Sequence, residues 1–358
     1  MAIQLKTNLC NVFNIRYPIV LAGMAGIPHM VPMVSAVSNA GGLGTLGAAY
    51  MSPLDIKEAI QGIRKLTQEP FSINIFSVMG ADQYSNFNQV NESLNGIRTS
   101  LGISHPVVND IQTPDYFEEQ FKILLDEKVP IISTTFGLIS EKLMEKAKRA
   151  GIQIVNTATT VDEAVQAEQR GCDVIVAQGT EAGGHRGTFD VSSRPMGANI
   201  GTMALVPQIV DRVKIPVIAA GGIMDGRGLV AALSLGAQGI QMGTRFLTAA
   251  ESGVHPAYKK ALLESTEEST VVTNAFSGRP ARGITNAFIR RWDDNHIKPL
   301  PFPTQNTLTR DIRNASSRLN NPDYMALWAG QGTRMLKANQ EVSSIIHQVM
   351  DEAQRIIE

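Results

Sequence analysis

Eight times between residues 17 and 244 the chain repeats one unit: a short apolar run rich in Val, Ile and Ala, ending in Gly, Thr or Asn, then an amphipathic stretch with helical spacing. That alternation is the βα unit, in which a strand buried on both faces feeds a helix that covers it. The runs occupy residues 17–23, 42–48, 70–76, 130–136, 152–158, 172–179, 216–222 and 238–244. Helix punctuation falls between them: Ser52-Pro53 opens one helix, Gly151 and Gly171 close two others, and the segment 140–149 places its apolar residues on one stripe. Eight consecutive units predict a (β/α)8 TIM barrel, a fold that commonly takes about 250 residues.

The chain has 358 residues, so something must be added to the barrel. Residues 77 to about 125 are polar and rich in Asn and Ser, which makes the third-to-fourth strand connection much longer than a usual crossover. They are read as an insertion after strand three, at the mouth of the barrel. Residues 253–317 contain SGRPARG and KPLPFPTQN, whose prolines and glycines do not suit another barrel unit. They are read as a small C-terminal substrate or cap domain, the barrel being 1–252 plus 318–358, with a last helix from about Glu341 to Ile357.

Charge and cysteine usage narrow the function. With 32 Lys and Arg against 33 Asp and Glu there is no global field to hold nucleic acid or an anionic membrane. The only cysteines, Cys10 and Cys172, have neither disulfide-framework nor zinc spacing, so no metal site is expected and a reducing cytoplasm fits best. Neither a signal peptide nor a run of the ~18 apolar residues that a spanning helix needs is read.

In such barrels the chemistry lies just beyond the C-terminal strand ends. Two glycine-bearing turns follow the last two runs, AAGGIMDGRG (219–228) and QMGT (241–244). Such turns let backbone N–H groups approach a phosphate, so Gly221, Gly222, Gln241, Met242, Gly243 and Thr244 are candidate phosphate-binding residues. The segment Gly42-Leu-Gly-Thr-Leu-Gly47 also satisfies GxGxxG, but it neither follows a strand nor opens a helix, so it reads as strand two. Among the six histidines, His105, His255, His296 and His347 lie in bland contexts and His29 in a Pro-flanked stretch. His185 follows the sixth run within GTEAGGHRG, with Glu181 four residues before it. An imidazole there either exchanges a proton near neutral pH or only hydrogen-bonds its loop, and the local sequence leaves both open.

The segments SNAGGLGTLGA (38–48), FSINIF (71–76), VAQGTEAGGHRG (176–187), PVIAAGGIMDGRG (216–228) and QMGTRF (241–246) together resemble the nitronate monooxygenase family, formerly the 2-nitropropane dioxygenases. The resemblance runs from about residue 17 to 331. It implies one FMN, with its phosphate at the GG and MGT turns and its ring over the strand ends. Ala22, Gly23, Met24, Asn74, Gln178 and Gly183 would line the ring or ribityl chain, and His185 matches the family's catalytic histidine. The implied reaction oxidises alkyl nitronates, propionate 3-nitronate among them, with O2 to a carbonyl compound and nitrite, without a nicotinamide. The expected partners are a small nitronate or nitroalkane and O2, and a homodimer stays open. FMN-dependent enoyl-acyl carrier protein reductases and flavin quinone reductases share most of these motifs, so an NAD(P)H-dependent reductase is the alternative. A flavin-storing or ligand-sensing barrel without turnover is a third reading. Residues 277–283, Asn286 and 303–306 resemble the monooxygenase branch more than the reductase branch.

Overall fold

Each of the eight apolar runs forms a parallel strand in the computed structural model, which describes residues 3–77, 80–105 and 111–358. Residues 78–79 and 106–110 of the expected insertion lie outside the described residues. In chain order the strands are β1 (Ile19–Leu21), β2 (Gly44–Gly47), β3 (Phe71–Phe76), β4 (Ile131–Thr135), β5 (Gln153–Ala158), β6 (Val174–Gln178), the short β7 (Gly184–His185), β8 (Val217–Ala220), β9 (Gly239–Met242), β10 (Thr270–Thr273) and β11 (Ala281–Ile284). The barrel runs β1-β9-β8-β6-β5-β4-β3-β2. It closes through a parallel bridge between Val20 and Leu43, where Leu43 N–H donates to the Ile19 carbonyl and Leu21 N–H to the Leu43 carbonyl, each at 2.9 Å.

Both faces of these strands are apolar because both are covered. Val20, Ile131, Val155, Val174, Val176 and Ile218 meet inside the barrel. Leu9, Cys10 and Phe13 of the helix Asn8–Phe13 join that cluster and close the end where the strands begin. There Thr7 Oγ1 donates to the Gln238 carbonyl and Gln153 Nε2 to the Val12 carbonyl, both at 2.5 Å. The strands' C-terminal ends are thereby the open end of the barrel. The GxGxxG glycines prove to be packing residues of strand two. A Cβ on Gly44 would lie 2.0 Å from the Val34 carbonyl oxygen, and one on Gly47 2.4 Å from the Met24 and Ala25 backbone.

Local signals explain the helix starts. Ser52 with Asp55, and Thr160 with Glu163, form reciprocal capping boxes. Glu163 does more than cap. Its buried carboxylate accepts from Thr159 N–H and Oγ1, Thr160 N–H and, through the other oxygen, Phe189 N–H at 2.8 Å, so it ties the loop after β6 to the loop after β5. Glu163→Ala orphans those donors and is expected to cost about 3 kcal/mol, read as a lowered denaturation midpoint.

Beyond the barrel, β10 and β11 pair antiparallel, and β7 joins the other side of β11 with His185 opposite Ala281. The polar stretch after β3 contains the helix Phe87–Ser100, whose Phe87, Val90, Leu94 and Ile97 pack into a second core with Phe276, Phe288, Trp292 and Ile312. The final helix, Val342–Ile357, lies against the helix Gly226–Ser234, and its Glu352 accepts Gly226 N–H at 3.0 Å. Among the described residues no helix is long and apolar enough to cross a membrane, and no cluster of three or more His, Cys, Asp or Glu side chains could hold a metal.

Candidate active site

A cavity of about 540 Å³ opens over the C-terminal strand ends, within the size range of cofactor and small-ligand sites. All thirteen sequence-derived site residues line it: Ala22, Gly23 and Met24 after β1, Asn74 on β3, Gln178 on β6, Gly183 and His185 on the following loop, Gly221 and Gly222 after β8, and Gln241, Met242, Gly243 and Thr244 at the end of β9.

Several of these side chains hold the walls in place. Asn74 donates through Nδ2 to Ser133 Oγ (3.0 Å) and Thr135 Oγ1 (3.2 Å), and its Cβ lies where a side chain on Gly23 would begin. Gln178 uses both amide ends on the loop that carries His185, donating to the His185 carbonyl at 3.1 Å and accepting Gly187 N–H at 2.8 Å. Arg186, fully buried, donates to the carbonyls of Gly179, Gln178 and Ala198 and pulls the same loop inward. Gly183 packs against the Ala329–Gly330 backbone, whose Gly330 N–H donates to Thr244 Oγ1 at 2.9 Å.

The turns after β8 and β9 bring glycine backbone to the cavity wall. Gly221 and Gly222 adopt φ of 117° and 71°, a region that favours glycine. The backbone N–H groups of Gly221, Gly222 and Gly243 find no acceptor among the described residues. Unpaired donors facing a cavity call for an anionic or carbonyl acceptor. Glu181, beside this turn, accepts Thr202 N–H (2.9 and 3.0 Å) and Thr202 Oγ1 (2.8 Å) instead of reaching His185.

His185 is held by a partner that its neighbouring residues do not announce. Its Nε2 lies 2.9 Å from Ser277 Oγ, and Ser277 donates its own hydroxyl to the Arg279 carbonyl at 3.0 Å. That network assigns the hydrogen to Nε2 and leaves Nδ1 as the basic nitrogen. Phe76, Phe136, Phe302 and Trp328 surround the ring, with centroids 5.5 to 6.4 Å away. Burial in this box, with the charges of Arg279 and Arg313 added, pushes the imidazole down to about 3. The ring alone therefore stays neutral near pH 7, unlike the proton exchange near neutrality that its loop setting allows.

Tyr50, Arg313 and Trp328 also line the cavity, and the sequence reading assigned none of them a role. Their segments carry no motif; only the topology brings them to the strand ends.

The model of the nitronate monooxygenase family matches residues 6–352. Probable nitronate monooxygenases of Staphylococcus haemolyticus and Staphylococcus aureus strain N315 are 42% and 43% identical to this chain; the alignments cover 98% of both chains for the first, and 96% of this chain and 97% of the relative for the second. Among solved structures, the nitroalkane oxidase of Streptomyces ansochromogenes is similar with a TM-score of 0.90 and 36% identity, covering 97% of this chain and 98% of that one. FabK of Thermotoga maritima gives 0.78 and 29%, covering 99% and 98%. With a cavity at the barrel mouth lined by the GG turn, the MGT turn and the glycine loop of His185, and with homology along its whole length, the chain belongs to the nitronate monooxygenase family of flavin oxidoreductases.

Proposed function

We propose that the cavity holds one FMN and that the enzyme oxidises alkyl nitronates, propionate 3-nitronate among them, with O2 to a carbonyl compound and nitrite. The observation that carries this reading is the pairing, in one cavity, of unpaired N–H donors at the Gly221-Gly222 and Gly243 turns with a neutral imidazole on the opposite rim loop. The turns would hold the phosphate. Ala22, Gly23, Met24 and Asn74 would border the ring, and Gln178 and Gly183 would fix the wall beside it. A bound flavin supplies the electron acceptor for the nitronate. His185 Nδ1 would take the α-proton of a neutral nitroalkane or steady a preformed nitronate. The aromatic box around it keeps water from the reacting carbon. In this reading residues 253–317 form the substrate or cap domain over a barrel of 1–252 and 318–358, since Ser277 is the residue that holds His185.

The cofactor is testable by denaturing the purified protein and chromatographing what it releases. Stoichiometric, non-covalent FMN is expected, because the turns offer donors for one phosphate. FAD, or a colourless protein that takes up no FMN, contradicts the assignment. Nitrite release from a nitronate in air then separates this reading from the reductase reading, in which NAD(P)H reduces the same flavin for an enoyl thioester or quinone.

A further inference from the structure

One buried side chain fastens the two glycine turns to each other. Arg245 follows the turn after β9, on the short helix Thr244–Leu247. Its Nε donates at 3.2 Å to the carbonyl of Met224, two residues beyond Gly222 in the segment after β8. Its Nη2 donates at 2.6 Å to Gln340 Oε1, in the segment that leads into the final helix. Burial pulls the guanidinium below its usual value, while Glu352 and Asp225 act on it electrostatically in the other direction. Neither carboxylate pairs with it: Glu352 accepts Gly226 N–H, and Asp225 is paired with Arg227 at 2.6 Å.

From Gln340 the connection enters the final helix and returns to the segment it started from. Gln340 Nε2 donates to Gln348 Oε1 (3.3 Å), Gln348 Nε2 donates to Glu352 Oε1 (2.7 Å), and Glu352 Oε2 accepts the N–H of Gly226 (3.0 Å), two residues after Met224. The direction of this relay is forced. A guanidinium can only donate and a carboxylate can only accept, so each glutamine must turn its oxygen toward Arg245 and its nitrogen toward Glu352. Both ends are charge-assisted, which strengthens a network out of water. Backbone bonds run alongside: Ala250 N–H donates to the Gln340 carbonyl (3.0 Å), Asn339 N–H to the Thr248 carbonyl (3.1 Å), and the Glu251 carboxylate accepts Val342 N–H (3.0 and 3.1 Å). The helices Gly226–Ser234 and Val342–Ile357 meet backbone to backbone, since a Cβ on Gly226 would lie 2.4 Å from Ala353 N and 2.7 Å from the Val349 carbonyl oxygen. None of Arg245, Gln340, Gln348 and Glu352 lines the cavity.

We infer that Arg245 is a positioning residue for the cofactor's phosphate: it sets the spacing of the Gly221-Gly222 and Gly243 turns, and the final helix holds it in place through Glu352, Gln348 and Gln340. An anion shared by two backbone turns is bound well only when both sets of N–H groups stand at the right separation beforehand. Capture of the phosphate thus depends on a helix that touches no ligand. The inference rests on the FMN reading for the occupant of the turns, and on the relay alone for what keeps them in register.

Fluorescence titration of the full-length protein, freed of flavin by dialysis, with FMN and with riboflavin tests it, because riboflavin presents the same ring and ribityl chain without the phosphate. The wild type is expected to bind FMN more tightly than riboflavin. Arg245→Met should weaken FMN binding at least about tenfold and leave riboflavin binding within about twofold. Gln340→Met keeps the bond from Arg245 to Met224 and cuts the link to the final helix; it should weaken FMN binding by about threefold or more, with riboflavin binding again unchanged. That variant carries the test if Arg245→Met fails to fold. Equal weakening of both flavins would make these residues ordinary packing groups and overturn the inference, as would unchanged FMN affinity in either variant. If the wild type prefers FMN and the variants keep that preference, the relay alone fails. If the wild type binds neither flavin, or binds riboflavin as tightly as FMN, the phosphate reading of the turns fails and the inference falls with it.

Discussion

His185→Asn is expected to cut kcat/KM for a neutral nitroalkane by about 10² to 10⁴, the usual loss when a general base is removed, and to cut it much less for the nitronate of the same compound. Asn keeps a polar side chain of similar reach that can still meet Ser277, which lies 2.9 Å from Nε2, but it has no nitrogen able to take a proton. A nitroalkane must lose its α-proton; a nitronate already has. Because burial and the charges of Arg279 and Arg313 push the ring down to about 3, nitronate oxidation should show no titration of His185 between about pH 6 and 8. Flavin content should stay near wild type, since the turns proposed to hold the phosphate follow β8 and β9. Equal losses on both substrates would make His185 a positioning residue, and unchanged rates on both would remove it from the reaction.

Gly47→Ala should be strongly damaging although it adds a single methyl group to strand two. The new Cβ would lie 2.4 Å from the Met24 carbonyl carbon and Ala25 nitrogen, and backbone cannot rotate away as a side chain can. Overpacking of a core typically costs about 1–3 kcal/mol and more when the neighbour is fixed. Met24 and Ala25 line the cavity, so flavin content should fall together with the denaturation midpoint. Thr45→Val, two residues away on the same buried strand, is the control. Thr45 Oγ1 is buried without a partner among the described residues, so its replacement should be neutral or stabilising. Wild-type flavin content and stability in Gly47→Ala would mean that the β1 loop is not held against strand two.

What was legible in the sequence was what repeats locally. Runs such as PFSINIF and PVIAAGG announce buried parallel strands because Val, Ile and Ala fill both faces, and the rule that barrel chemistry sits at the strand ends then gathers Gly23, Asn74, His185, Gly222 and Gly243 into one place. The helix Phe87–Ser100 had a signal that its Asn- and Ser-rich setting hid: Phe87, Val90, Leu94 and Ile97 keep helical spacing. Other features had none. The bond between His185 and Ser277 joins residues 92 apart, through a two-residue strand too short to carry a period. Glu181 stands four residues before His185 in the chain, and the fold turns it toward Thr202. Tyr50 and Arg313 reach the cavity from segments without motifs, so the charge that Arg313 brings to it emerges only in three dimensions.

The most direct test of the account is an anaerobic titration of the purified yellow protein, first with propionate 3-nitronate and then, in a separate cell, with NADH and NADPH. Loss of the oxidised flavin absorbance on adding the nitronate, with little or slow change on adding either nicotinamide, is the predicted result. Rapid reduction by a nicotinamide, with no response to the nitronate and no nitrite formed once air is admitted, would contradict it.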